Sequence, residues 1–123
     1  MRIIFILVAF VAMIKANAQV EMKINEGHSN DVSFVKFSPD GKHLASAYRF
    51  GYFVKIWDVN KGRELYNLYH SGRVSNVTFS PDGKYIVTND KDAILWDRYT
   101  GKRLHRLSNG ISIVAFSPNG QKI

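Results

Sequence analysis

Ser38-Pro39-Asp40-Gly41-Lys42 returns 42 residues later as Ser80-Pro81-Asp82-Gly83-Lys84, and 37 residues after that, loosened, as Ser117-Pro118-Asn119-Gly120-Gln121. The wording suits a tight turn for physical reasons. Proline presets φ near about −65° at the second position, the Asp or Asn side chain hydrogen-bonds the local backbone, and glycine accepts positive φ. A second word, Ile56-Trp57-Asp58, returns 39 residues later as Leu95-Trp96-Asp97, and a glycine follows each tryptophan at the same distance, Gly62 and Gly101. The chain repeats itself with a period near 40.

Upstream of each Pro-x-Gly turn stands one short apolar word: Val32, Val35 and Phe37, then Val74, Val77 and Phe79, then Ile111, Val114 and Phe116. Runs of this length, rich in β-branched and aromatic residues and bounded by turn formers, predict strands. Each turn then joins two antiparallel neighbours. Downstream, the same composition predicts strands at 43–47 and 85–88, 53–58 and 93–97, and 63–68 and 103–107, four to a repeat. Val54, Ile56 and Trp57, and Ala93 through Trp96, place apolar residues on both faces, as in a sheet covered on both sides. Four short strands about every 40 residues, with sheets stacked face to face, predict an all-β incomplete propeller: two four-stranded antiparallel blades, a lone N-terminal strand and a partial third blade.

These residues resemble the WD-repeat β-propeller family, through Gly27-His28, Ser38-Pro39-Asp40-Gly41 and Trp57-Asp58, then His70, Ser80-Pro81-Asp82-Gly83 and Trp96-Asp97. The likeness covers about residues 20 to 123. It implies a buried polar network in each blade, linking His28, Ser46 and Trp57 in the first repeat and His70, Thr88, Asp90 and Trp96 in the second. A buried indole N–H or imidazole needs such partners. The first repeat departs from the pattern, because residues 48–52 contain no Asp. Its network is therefore expected to be incomplete and its blade locally looser. In the second repeat Tyr69 replaces the glycine before His70, and the third, at Leu107-Ser108-Asn109-Gly110, lacks the histidine.

The organisation that follows is a signal peptide at 1–18, a lead-in outer strand at 19–30 carrying Val20, Met22 and Ile24, a first repeat at 31–69, a second at 70–108 and a truncated third at 109–123. Met1-Arg2, twelve apolar residues from Ile3 to Ile14, and Ala16-Asn17-Ala18 read as a secretory leader cleaved before Gln19. The apolar run falls short of the roughly 20 residues a spanning helix needs. Export, to the periplasm or the extracellular space, is the expected destination. Propellers close with at least about four blades, which needs about 160 residues. The residues after Ala18 fall short of that. Either the sequence is the front piece of a longer exported protein, the favoured reading, or copies self-associate through open sheet edges.

Composition narrows the chemistry. The chain has no cysteine, which excludes disulfides, thiolate metal sites and cysteine nucleophiles. A formal charge of +7 is moderate and unclustered, too little to predict a nucleic-acid partner. His28, Asp31 and Ser46 contain the residue types of a hydrolytic triad, but no nucleophile elbow holds the serine. The four histidines lack metal-ligand spacing, and no glycine-rich phosphate cradle occurs. No cofactor, metal or catalytic residue is predicted, and no membrane association after leader cleavage. Asn76-Val77-Thr78 matches a glycosylation sequon but falls in an inner strand.

The candidate interaction surface is the aromatic turn, Tyr48, Arg49, Phe50 and Tyr52, together with the loop residue Arg73. Exposed aromatics with arginine make interface anchors, and packing over the neighbouring blade accounts for them equally. The resemblance implies a non-catalytic scaffold that binds a protein. The alternative is a binding array ahead of a hydrolase or protease domain beyond residue 123.

Overall fold

The structure is a computed structural model and describes residues 32–48, 50–107, 114–120 and 122. His28, Arg49, the leader, the lead-in strand and Ile111 lie outside the described residues. Eight strands occur among those described: β1 Val32–Phe37, β2 His43–Tyr48, β3 Phe53–Asp58, β4 Arg63–Tyr69, β5 Asn76–Phe79, β6 Tyr85–Asn89, β7 Ala93–Asp97 and β8 Arg103–Leu107. They form two four-stranded sheets, ordered β1-β2-β3-β4 and β5-β6-β7-β8, with every neighbouring pair antiparallel. The described residues form two unclosed blades of an incomplete β-propeller.

The repeated turns are built alike, atom for atom. In the first, Gly41 N–H donates to the Ser38 carbonyl at 2.9 Å with φ 70°, the conformation glycine supplies cheaply. Ser38 Oγ donates to Asp40 Oδ1 at 2.7 Å, and that oxygen also accepts from Lys42 N–H at 3.0 Å. Ser80, Asp82, Gly83 and Lys84 repeat every one of these bonds. In the third turn Asn119 stands in for the aspartate and accepts from Ser117 Oγ at 2.6 Å. The amide oxygen serves because the bond needs an acceptor there and no charge.

Both β3 and β7 meet their outer strand through a one-residue bulge, at Ile56/Trp57 and at Leu95/Trp96. Leu65 and Leu104 are the extra residues that the pairing skips, and both are exposed. A bulge adds local twist. Its recurrence at each tryptophan shows the period operating at the level of backbone pairing as well as composition.

Alternation sorts the side chains into two layers. Ala45, Ala47, Val54, Ile56 and Leu68 of the first blade share one cluster with Val74, Val77, Phe79, Ile86, Ile94 and Trp96 of the second. Leu44, Trp57 and Val59 form a separate cluster with Val32 on the opposite face of the first sheet. Both faces of β2 and β3 are thereby buried, which is why their sequences lack a polar stripe. Trp57 and Trp96 occupy equivalent places in the repeat and point the same way along the stack. Trp96 is the one at the junction of the two blades.

The strands run past the predicted limits at Tyr48, Tyr69 and Asn89, and β5 begins at Asn76, two residues after Val74. Val74 is withdrawn from the ladder because its N–H donates to the Gly51 carbonyl of the first blade at 3.0 Å. Of the third repeat, Val114 and Phe116 are half-buried and only the turn at 117–120 has defined structure among the described residues.

Candidate functional site

The paired tryptophans are satisfied by geometry the ladder dictates. Trp57 pairs with Leu44 and Trp96 with Ile86, so a hydroxyl two residues further along each second strand is a diagonal neighbour on the same face. Trp57 Nε1 donates to Ser46 Oγ at 2.8 Å and Trp96 Nε1 to Thr88 Oγ1 at 2.7 Å. Ser46 is therefore bound into packing, not poised as a nucleophile.

His70 and Asp90 complete the cluster by proximity. The His70 ring stands edge-on to Trp96 with centroids 5.5 Å apart, and its Nδ1 is 3.7 Å from Asp90 Oδ2, beyond hydrogen-bond reach. Neither ring nitrogen has a hydrogen-bond partner among the described residues. Asp90 is occupied elsewhere: it accepts from Asp92 N–H at 2.9 Å, Gly72 N–H at 3.1 Å and Ser71 Oγ at 3.5 Å. It ties the β6–β7 turn to the connector between the blades. Burial lowers the His70 pKa against the pull of Asp90, so the ring is neutral. In the first repeat no aspartate does this work. The turn after β2 is held instead by Gly51 N–H on the Tyr48 carbonyl at 3.0 Å, by His70 N–H on the Tyr52 carbonyl at 2.7 Å, and by Tyr48 packed edge-on to Phe53.

One group was not read from the sequence. Arg98, 1% exposed, follows Trp96-Asp97 in the turn after β7 and crosses to the first blade. Its Nη2 donates to both carboxylate oxygens of Asp40 at 2.8 Å, its Nε to His43 Nδ1 at 2.9 Å, and its Nη1 to the Gly83 carbonyl at 3.0 Å. The Arg98 carbonyl accepts from the Tyr66 hydroxyl, whose burial pushes its pKa up to about 12. Arg98 is thus a clasp between the blades. The first repeat has Val59 at this position, with the matching backbone bond from its N–H to the Lys42 carbonyl. An arginine where the preceding copy has valine was the available signal.

The histidines at these two places set an acid limit. Burial, then the Arg98 charge, lowers the His43 pKa, and burial lowers that of His70. In both cases the unfolded chain takes up protons first, so stability is complete above about pH 6.5 and declines as pH falls below that value. Asp40 adds a second loss further down. Partial burial works against its ionisation, but bonds from Ser38, Lys42 and Arg98 hold its carboxyl well below the usual range. Urea midpoints measured from pH 8 to pH 4 are expected to fall first near about pH 6.5, and His70→Gln to flatten that first decline. A midpoint unchanged down to about pH 5 would remove both histidines from the account.

On the turn between β2 and β3 the aromatic residues divide. Tyr48 is half-buried against Phe53, so it is not an open anchor. Phe50 and Tyr52 are 54% and 49% exposed. The Arg73 guanidinium carbon lies 4.6 Å from the Phe50 ring centroid. Tyr52 and Arg73, with Ser71, Gly72, Asp90 and Lys91, line a cavity of about 360 Å³. The structure thus joins three of the predicted surface residues, Phe50, Tyr52 and Arg73, and adds Ser71 and Lys91 from two other segments. No cluster of three or more metal-ligating side chains occurs among the described residues.

Stacked four-stranded sheets with matched turns, matched bulges and equivalent tryptophans define a repeat-built propeller protein. The sequence profile described as WD domain, G-beta repeat matches residues 19–58 and 62–97, and the chain belongs to that WD40 family. Proteins of this kind are in general non-catalytic scaffolds. Among solved structures the fold is similar to that of U3-55K, at 24% identity and TM-score 0.63 over 70% of this chain and 29% of that one. It is similar to the RRP9 WD40 repeats at the same identity and TM-score, over 70% of this chain and 28% of theirs. The chain spans less than a third of the length of either. No curated protein sequence matches it.

Proposed function

We propose that this chain is the N-terminal part of a longer exported WD40 propeller that works as a non-catalytic protein-interaction scaffold, binding through the face that carries Phe50, Tyr52 and Arg73. One observation carries the reading. A large aromatic, Phe50, sits at φ 68° on an exposed turn and covers an arginine at the rim of a cavity. Non-glycine residues in this region cost on the order of 1–3 kcal/mol, and such cost collects at functional sites. Rigid strands on both sides supply the support that loop-borne binding residues need.

The leader at 1–18 supports export, and the share of the matched structures that the chain covers supports a longer parent. In this reading the partner is a protein, and neither nucleic acid, cofactor nor, once the leader is removed, a membrane takes part. The test is comparative capture from the exported fraction with the secreted form beginning at Gln19. Phe50→Ala with Tyr52→Ala is expected to reduce recovery of the partner at least about tenfold, as for paired aromatic anchors. His70→Gln is expected to leave it near wild type. Equal recovery by the double variant would place the binding surface elsewhere.

A further inference from the structure

We propose that the cavity bounded by Tyr52, Arg73 and Lys91 is a carboxylate-binding site, and that its occupant is an acidic peptide segment of the protein partner. The inference rests on reading this face as the binding surface and adds the chemistry of what enters.

Arg73, Lys91 and Asp90 are the charged residues lining the cavity. Asp90 keeps its negative charge, so the lining carries one net positive charge, but its oxygens are engaged by Gly72 N–H, Asp92 N–H and Ser71 Oγ and it forms no ion pair with either cation. Arg73 and Lys91 have no ion-pair partner among the described residues. The contrast within the molecule is instructive, since Lys55, Arg98 and Arg106 all have carboxylates within 2.8 Å.

Arg73 is also held in place. A cation over an aromatic ring is attracted by the ring's quadrupole, and that contact consumes none of the five guanidinium N–H donors. Phe50 therefore positions the guanidinium and leaves its fork for a planar bidentate acceptor, the geometry of a carboxylate. Lys91, exposed at the tip of the β6–β7 turn, contributes a second point charge from the other blade. Tyr52, half exposed on the lip, offers its ring to a neighbouring apolar side chain. A polyanionic nucleic acid would need a line of cations following its backbone. Two cations facing one engaged carboxylate leave a net charge that matches a single incoming carboxylate.

The experiment titrates the form beginning at Gln19 with a fluorescein-labelled peptide of glutamate and alanine containing one tyrosine, and with its glutamine counterpart. Anisotropy is expected to show the glutamate peptide binding at least about tenfold more tightly, with Arg73→Gln and Lys91→Gln each weakening it by about tenfold. Arg103→Gln, an exposed cation on β8, is expected to change nothing. Equal binding of both peptides, an equal loss on Arg103→Gln, or tighter binding of a single-stranded oligonucleotide of the same charge would each overturn the proposal. The two readings fail separately. If Phe50→Ala with Tyr52→Ala abolishes partner capture while Arg73→Gln and Lys91→Gln do not, the face stands and the acidic ligand is wrong; if no variant matters, both fall.

Discussion

Arg98→Ala is expected to lower the stability of the chain by about 3 kcal/mol in urea unfolding, well above the average surface substitution. The magnitude comes from deciding which of its partners suffers. Removing one member of a fully buried ion pair costs about 3–5 kcal/mol, mostly because the other charge is left stranded. Here the Asp40 side chain is 39% exposed. Water can reclaim its charge, so the stranded-charge contribution is small. The loss falls instead on the Gly83 carbonyl and on His43 Nδ1, which lose their donors, and on the space the side chain filled. An unpaired buried acceptor costs about 1–3 kcal/mol. Asp40→Asn is accordingly expected to cost about 1 kcal/mol or less, as for a part-exposed pair. If the two substitutions cost the same, the clasp is an ordinary surface ion pair. Because Arg98 bonds residues of both blades, its removal is also expected to broaden the transition, as repeat units begin to unfold separately.

How far the sequence reached can be judged from this same residue. The turns, the two tryptophan sites and their hydroxyl partners were legible because each depends on local or adjacent-strand geometry: proline and glycine fix the turn, and the turn fixes the register. Arg98 binds Asp40 across 58 positions, and a contact of that span is set by how one sheet lies on the next. The late start of β5 has the same origin, since Val74 spends its N–H on the Gly51 carbonyl of the other blade.

The aromatic turn defeated expectation in a more local way. In Phe50-Gly51 the glycine is the residue that chain stereochemistry would place at positive φ, yet Phe50 takes it. Gly51 is required for space: a Cβ there would lie 2.6 Å from the Tyr48 ring. The first repeat has no aspartate to organise this turn, and Tyr48 packs into it instead. Phe50 carries the positive φ on this turn, and the cavity lies beside it. Lys91 could not have been assigned to the site in advance, because it reaches the cavity from the second blade.

Trp96→Ala is expected to cost about 4 kcal/mol, the range for removing a large buried aromatic. It should exceed every polar substitution at the same cluster. Trp96 is shared by two contributions that can be separated. Its ring belongs to the apolar layer joining both sheets, with Val54, Ile56 and Leu68 on one side of the junction and Val77, Ile86 and Ile94 on the other. Its Nε1 satisfies Thr88 Oγ1 at 2.7 Å. Trp96→Phe keeps much of the ring and leaves the hydroxyl without its donor, so about 1–2 kcal/mol is expected. Thr88→Val strands a buried indole N–H and is expected to cost about 2 kcal/mol. The double variant, with both polar ends removed, should cost less than the sum of the two, because no unpaired group remains at that point. Strict additivity would mean that the hydrogen bond contributes nothing and that packing alone holds the blades. A larger loss for Thr88→Val than for Trp96→Ala would reverse the order and make the polar pair, not the ring, the principal fastening between them.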